Sequence, residues 1–296
     1  MIRTSEQLKA LVRNKSANSG QSQVMIANFF MERLLERISI SKYRHNFILK
    51  GGMLVASLVG QHMRTTMDID TTLKNIELTV KSAKSIIDDV ISLPLDDGVS
   101  FSITDARDIM DDSEYGGVRL RLLAVLDGMR TYLKVDISTG DIITPEEITY
   151  RYKLMFDDKY ISIKAYNIET VLAEKLETVL SRGTANSRLR DYYDLYVLQQ
   201  DLFREIDTRL VAAAVKATCE RRGSARLLPD GARILSEIQQ DDVMIKLWSA
   251  YQNKFDYAAG IEWDCVMETI TSLYKAFSIQ DKKQTIQTRL GELAKQ

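Results

Sequence analysis

Residues 47–73 read FILKGGMLVASLVGQHMRTTMDIDTTL, and this stretch decides the fold of the first half of the chain. The apolar run 47–49 predicts a short strand, which the glycines at 51 and 52 close, because glycine reaches turn conformations that are costly for other residues. The next residues predict a helix, and residues 67–73 alternate between polar and apolar as a strand does. The stretch therefore predicts a strand, a glycine turn, a helix and a second strand.

The flanking sequence predicts a mixed sheet followed by helices. Residues 1–40 read as two helices, and three strand-like segments with glycine turns occupy residues 99–138. From Ile168 onward the chain is rich in helix formers with a 3.6-residue apolar period. We therefore predict an α+β protein, with a mixed β-sheet domain and N-terminal helices over 1–165 and a C-terminal helical bundle over 166–296.

The composition excludes several classes of protein. The chain has 296 residues, of which 45% are hydrophobic and 27% charged, and these fractions exclude a disordered, collagenous or membrane-spanning chain. The uncharged run 51–63 has 13 residues, fewer than the roughly 20 that cross a bilayer. The N-terminus lacks the apolar segment of a secretory signal. We therefore expect a cytoplasmic protein without membrane contact. Because the net charge is −1, any contact with nucleic acid depends on a local basic patch.

Two carboxylates lie in the predicted second strand. Asp68 and Asp70 are two residues apart, and the strand period of two places both side chains on one face. Such a pair can hold Mg²⁺, which prefers oxygen ligands and keeps positions for water and substrate phosphates. The alternative is a solvated turn or a helix cap without a metal. Asp136, in a later strand, faces either solvent or the same metal site.

The glycine turn precedes the carboxylates by 16 residues. Gly51 and Gly52 allow backbone N–H groups to approach an anion, and the helix that follows adds the positive end of its dipole. A phosphate group fits such a turn. The alternative is a tight strand-to-helix turn that binds nothing.

These residues carry a resemblance. The stretch resembles the first signature of the AbiEii/AbiGii family of nucleotidyltransferase toxins, which has a Lys-Gly-Gly turn, a helix and Arg-x-Ser/Thr-x-Asp-x-Asp. In this chain the pattern consists of Lys50, Gly51, Gly52, Arg64, Thr66, Asp68 and Asp70. The segment 173–198 is similar to a second signature of the family, Glu-Lys-Leu followed by Arg-Asp-x-x-Asp-Leu. The matching residues are Glu174, Lys175, Leu176, Arg190, Asp191, Asp194 and Leu195.

The resemblance implies a nucleotidyltransferase-like sheet domain and a Mg²⁺-dependent enzyme. It implies the toxin of a bacterial toxin–antitoxin pair of the abortive-infection kind, active in phage defence, with a cognate DNA-binding antitoxin. It further implies transfer of a nucleotide from an NTP, either GTP or a pyrimidine triphosphate, to RNA, with the 3′ end of tRNA as the expected acceptor. We expect a monomer.

The resemblance also implies roles for individual residues. The catalytic residues would be Asp68, Asp70, Lys175 and Asp191. The nucleotide would be bound by Lys50, Gly51, Gly52, Arg64, Thr66, Arg182 and Asp194. The metal ligands would be Asp68, Asp70 and Asp136.

The residues of the second signature can also be interpreted without the resemblance. Lys175 and Arg182 are seven residues apart and share one helix face, which fits either contact with phosphates or a solvated basic stripe. The segment 182–190 has three arginines and no acid, and arginine binds phosphate with a bidentate fork. It is a candidate RNA contact. Tyr192 and Tyr193 fit the core better than a base-stacking surface.

Two other functions fit the same residues. A nucleotidyltransferase that modifies a small molecule, such as an antibiotic, would need an acidic pocket for a cationic acceptor. A non-catalytic NTP-binding regulator would bind nucleotide without depending on Asp70.

Overall fold

The computed structural model of the protein describes residues 2–16, 19–60, 64, 66–109 and 116–293. The chain forms two compact units. The first comprises Met1–Asp141 and Glu147–Tyr166, and the second comprises Ile142–Glu146 and Asn167–Gln296. The short segment Ile142–Glu146 therefore interrupts the first unit in sequence and belongs to the second.

The described part of the first unit holds four helices and seven strands. They are α1 (Ser5–Lys15), α2 (Ser19–Ile40), β1 (Phe47–Lys50), α3 (Gly51–Val59), β2 (Asp68–Leu73), α4 (Val80–Ile91), β3 (Val99–Ile109), β4 (Gly117–Leu126), β5 (Met129–Thr139), β6 (Ile148–Lys153) and β7 (Tyr160–Ala165). The strands form one sheet in the order β3-β4-β5-β2-β1-β7-β6. The pairs β2/β5 and β1/β7 are parallel, and the other pairs are antiparallel.

The sheet has one apolar face and one polar face because its strands alternate. In β5, Leu133, Val135 and Ile137 are at most 2% exposed, whereas the residues between them are half-buried. The apolar face packs against α2 and α4. The polar face carries the carboxylates described below, so the binary pattern of β2, β4 and β5 decides where chemistry can take place.

A buried ion pair fixes α2 to the start of β3. The guanidinium of Arg37 donates two hydrogen bonds to the carboxylate of Asp97, at 2.8 and 3.0 Å, and a third to the carbonyl oxygen of Val99 at 2.9 Å. Both charged side chains are 2% exposed. Removing one partner would leave the other charge buried and unpaired, which is a large cost.

The second unit is helical in its described residues apart from short turns. Its helices are α5 (Ile168–Arg182), α6 (Leu189–Leu202), α7 (Thr208–Arg221), α8 (Gly231–Gln240), α9 (Asp242–Lys254) and α10 (Trp263–Leu293). An aromatic cluster forms part of its core: Tyr192 and Tyr193 are fully buried, and Trp248 lies 5.7 Å from Trp263 between ring centroids. The predicted α+β class, a mixed sheet followed by helices, is confirmed.

The segment Ile142–Glu146 is held within the second unit by the first turn of α5. The side-chain amide of Asn167 donates to the carbonyl oxygens of Thr144 and Glu146, at 2.8 and 3.0 Å. The backbone N–H of Thr144 donates to the hydroxyl of Thr170 at 3.0 Å. Among the described helices, none is both long and apolar enough to cross a membrane.

Candidate active site

Strand pairing places four charged residues in one row across the sheet. Lys50 of β1 lies opposite Asp70 of β2, Asp70 opposite Asp136 of β5, and Asp136 opposite Arg119 of β4. Residues that lie directly opposite one another project from the same face. The row therefore brings together two of the carboxylates and the lysine that the sequence indicated, and it adds Arg119.

A second row lies two residues away on the same face. Asp68 of β2 is opposite Lys134 of β5, which is opposite Arg121 of β4. The ammonium of Lys134 lies 2.6 Å from a carboxylate oxygen of Asp68 and 3.8 Å from one of Asp136. Asp68, Asp70 and Asp136 thus share one face.

The surroundings of Asp70 disfavour its ionised form. Burial of its carboxyl group raises its pKa above the ordinary value of 3.8, and the negative charges of Asp136 and Asp68 act in the same direction. The positive charges of Lys50 and Lys134 oppose this rise. The ionised form of Asp70 is therefore destabilised in the ligand-free protein, and a bound cation would relieve that cost.

Asp136, the expected third metal ligand, is paired with an arginine in this structure. Both of its oxygens accept hydrogen bonds from the guanidinium of Arg119, each at 2.8 Å. Among the described residues, no group of three or more His, Cys, Asp or Glu side chains is arranged to hold a metal ion. The two hydrogen bonds form the bidentate contact typical of arginine with a carboxylate. The role of Asp136 as a metal ligand stays a prediction.

Asp68 and Asp70 nevertheless fit a hard divalent cation. Two carboxylates supply oxygen donors of the kind that Mg²⁺ takes, and the ion commonly binds one or two carboxylates together with substrate phosphates. The raised pKa of Asp70 reflects the burial of its carboxyl group and the negative charges of its neighbours, and a divalent cation would neutralise that charge.

The glycine turn lies against these carboxylates. Gly51 has a φ of +66°, and a Cβ at this position would overlap the carboxylate of Asp70 and lie 2.7 Å from Asp70 Cβ. A Cβ at Gly52 would lie 2.7 Å from the hydroxyl of Thr66 and 3.1 Å from the guanidinium of Arg64. Both glycines are thus required by close approach, and the first also by its backbone angle.

The turn is also the start of α3. Lys50 is the N-cap and makes no side-chain capping hydrogen bond, so no side chain of the cap satisfies the first backbone N–H groups of the helix. These groups and the helix dipole favour an anion at this end. Thr66 and Arg64, which lie beside Gly52, are each 3% exposed.

Lys50 takes part in a network that sequence reasoning missed. Its ammonium lies 2.6 Å from a carboxylate oxygen of Asp141 and 5.7 Å from the ring centroid of Tyr166. Asp141 also accepts hydrogen bonds from the hydroxyls of Ser138, at 2.7 Å, and Thr72. Burial favours a higher pKa for Asp141, but the charge of Lys50 and these hydrogen bonds outweigh it and hold the pKa well below 3.8.

Within the second unit, the family signature residues form a compact ion cluster. The ammonium of Lys175 in α5 lies 2.9 Å from Asp191 and 2.7 Å from Asp194, both in α6. Asp194 is fully buried, and Lys175 is 12% exposed. Both aspartates therefore hold the lysine. Arg182, the last residue of α5, is half-buried.

A second cluster, which the sequence did not indicate, supports α5 from α7 and the turn after it. Arg222 pairs with Glu174 at 2.9 Å and with Glu177 at 2.7 Å, and the hydroxyl of Ser224 donates to Glu177 at 2.8 Å. Arg222 lies 45 or more residues from its partners in the chain, so no local pattern announces the contact.

Comparison with known proteins identifies one matching family. A family model described as the nucleotidyl transferase AbiEii toxin of type IV toxin–antitoxin systems matches residues 33–269. No curated protein sequence gives a significant match. A Helicobacter pylori structure, described provisionally as a nucleotidyltransferase, is 18% identical with a TM-score of 0.47, over 88% of this chain and 96% of that one. The protein JHP933 from Helicobacter pylori is 16% identical with a TM-score of 0.46, over 95% and 100%.

Proposed function

We propose that this chain, which belongs to the AbiEii nucleotidyl transferase toxin family of type IV toxin–antitoxin systems, transfers a nucleotide from an NTP to RNA. The family makes the chain a nucleotidyltransferase that uses an NTP and has an antitoxin partner. The finer assignments are our proposal. The acceptor is the 3′ end of tRNA, the donor is GTP or a pyrimidine triphosphate, and the setting is abortive infection in the cytoplasm, with a monomeric toxin and a DNA-binding antitoxin.

One observation carries the proposal: Asp68 and Asp70 share one sheet face, and Asp70 lies against the glycine turn at the start of α3. The turn offers N–H donors and no side chain, and the carboxylates offer oxygen ligands. A triphosphate with its cation needs both kinds of group within a few ångströms.

The residues of the first unit divide the work of the transfer. The backbone N–H groups of Gly51 and Gly52 bind phosphate oxygens, and the hydroxyl of Thr66, which lies beside Gly52, can donate to the same group. Mg²⁺ held by Asp68 and Asp70 would neutralise charge on the triphosphate and on the departing pyrophosphate. The acceptor hydroxyl loses its proton to solvent and forms the new bond to the α-phosphorus as the bond to the pyrophosphate oxygen breaks.

The other signature residues have supporting roles in this proposal. Asp136 orients Arg119 and Lys134 through its ion pairs in the absence of a cation, and we keep it as the proposed third metal ligand. Lys50 is held by Asp141. We propose that Lys175, oriented by Asp191 and Asp194, is required for transfer, together with Arg64 and Arg182.

The test is transfer of label from α-³²P-labelled NTPs, each in turn, to purified tRNA with Mg²⁺. Asp70→Asn and Lys175→Ala are expected to abolish labelling of the RNA. The matched controls are Asp158→Asn and Lys216→Ala, which change exposed side chains. If Asp70→Asn and Lys175→Ala both transfer nucleotide at the wild-type rate, the roles assigned to Asp70 and Lys175 are refuted.

If wild-type protein binds NTP but labels no RNA, the RNA acceptor is refuted. Transfer to a small cationic molecule would then support the antibiotic-modifying type of activity. NTP binding that is insensitive to Asp70→Asn, without any transfer, would support a regulator.

A further inference from the structure

Beside the carboxylates, the polar face of the sheet carries a group of basic side chains. In the first row, Arg119 of β4 lies opposite Asp136, and Arg107 of β3 lies opposite Arg119. In the second row, Arg121 of β4 lies opposite Lys134. Arg130 lies on the same face, four residues before Lys134 in β5. The group comprises Arg107, Arg119, Arg121, Arg130 and Lys134.

Only part of this charge is used within the protein. Arg119 and Lys134 pair with Asp136 and Asp68. Arg107, Arg121 and Arg130 are exposed, and in the described part of the chain they form no ion pair. Asp105 of β3 lies opposite Arg121 on this face without an ion pair between them among the described residues. The arginines outnumber this carboxylate, and their surplus positive charge would attract a polyanion.

An exposed aromatic side chain lies among them. Tyr132 is 69% exposed, and it stands between Arg130 and Lys134 on the outward positions of β5. Its neighbour across the ladder is Leu123 of β4, which is half-buried. An aromatic ring on an open strand, flanked by cations, suits stacking of an unpaired base whose phosphates contact the neighbouring charges.

The distances fit a nucleic-acid strand that crosses this face and ends at the carboxylates. Strands lie about 4.8 Å apart, so Arg121 is about 10 Å from Asp68 across the ladder. Along β5 the rise is about 3.4 Å per residue, so Arg130 is about 14 Å from Lys134. A nucleic-acid strand that crosses this face can therefore reach the candidate active site with its end.

We infer that this face, which we name the basic sheet face and define by Arg107, Arg121, Arg130, Tyr132 and Lys134, binds single-stranded RNA and directs its 3′ end to Asp68 and Asp70. The inference rests on the proposed function and names the surface that selects the acceptor. RNA is favoured over an acidic protein because Tyr132 offers a stacking platform between the cations, which a peptide carboxylate does not need.

The test measures binding of a fluorescent single-stranded RNA, ending in the tRNA 3′ sequence, to the full chain without NTP. Arg121→Glu/Arg130→Glu is expected to weaken binding at least tenfold. Arg121→Ala/Arg130→Ala should reduce the slope of log K against log salt by about 1.4, since each single-strand phosphate contact contributes about 0.7. Tyr132→Ala should weaken binding roughly five- to 150-fold, the equivalent of one lost stacking contact.

Matched controls change exposed residues of the same types elsewhere. Lys246→Glu reverses an exposed charge in α9, and Tyr160→Ala removes a ring that is 46% exposed in β7. Both should bind RNA as the wild type does. Affinity for NTP should be unchanged in every variant, and in transfer assays the defect of the face variants should appear as a raised KM for RNA.

The outcomes separate the two proposals. If the wild type transfers nucleotide to RNA while the face variants keep its RNA affinity and salt slope, the basic sheet face is refuted and the proposed function stands. If the wild type neither binds nor labels RNA, the proposed function itself fails. If charge reversal spares RNA binding but abolishes binding of the purified antitoxin, the face is a protein interface and the inference is overturned.

Discussion

Replacing Gly51 by alanine should inactivate the enzyme while leaving it folded. The backbone of Gly51 is left-handed, with φ at +66°, and an alanine there costs about 1–2 kcal/mol of stability. The new Cβ would also lie 2.7 Å from Asp70 Cβ, against 3.4 Å for the shortest ordinary contact, and closer still to a carboxylate oxygen, so the Asp70 side chain must move by at least 0.7 Å. A misplacement of about 1 Å at a reacting centre can cost about 100-fold in rate.

The expected result is therefore a loss of transfer of about 100-fold with a modest loss of stability. Transfer is measured as single-turnover labelling of RNA at saturating NTP, and the free energy of unfolding by urea titration. Gly260→Ala is the matched control, because Gly260 has a φ of +76° and no atom within 4 Å of its added Cβ. It should lose similar stability and keep its rate.

A Gly51→Ala protein that transfers nucleotide within threefold of the wild type would refute the reasoning. It would mean that the position of Asp70 relative to the turn does not limit the chemistry. A Gly260→Ala protein that loses activity equally would mean that left-handed strain alone accounts for the effect.

Three further predictions concern buried charges and thiols. Asp97→Ala should lower the free energy of unfolding in urea by about 3–5 kcal/mol, because it leaves Arg37 buried and unpaired. Cys265 is exposed and should react with a thiol reagent at pH 8, whereas Cys219 is buried, which raises its pKa to about 11, and should react only on unfolding. Asp141→Asn should reduce stability at neutral pH. Because the folded pKa of Asp141 is depressed, the difference from the wild type should be full above pH 4 and shrink as the pH falls below 3.8.

Each of these has a control or a contradicting result. Lys42→Ala removes an exposed ion pair with Asp89 and should cost less than about 1 kcal/mol. Equal labelling of both cysteines in native protein would contradict the burial of Cys219. A stability difference for Asp141→Asn that is constant from pH 3 to pH 7 would contradict the charge origin of its effect.

Local signals explain the parts of the molecule that the sequence could predict. The strand, glycine turn, helix and strand of residues 47–73 follow from periodicity and two glycines, and the shared face of Asp68 and Asp70 follows from the strand period. Strand β6 was missed. Its residues are mostly exposed, so its hydrophobic alternation is weak.

Contacts between distant segments could not be predicted. The row that joins Asp70 to Asp136 depends on parallel pairing of β2 with β5, and Lys50 lies 91 residues from Asp141. The sequence left Asp136 facing either solvent or the metal site, and nothing local indicates that Arg119 lies opposite it. A single sequence gives residue types and periods, whereas strand order decides which charges meet.

The segment Ile142–Glu146 has a consequence for how such proteins can be cut or recombined. The chain leaves the first unit after Asp141, returns at Glu147 and leaves again after Tyr166. A gene fragment that ends at residue 166 would encode the first unit together with five residues whose hydrogen-bond partners, Asn167 and Thr170, are missing. Exchange of either unit between related genes by a single crossover would separate these partners. The two units are therefore expected to be inherited together, and a helical half transplanted alone would lack part of its own structure.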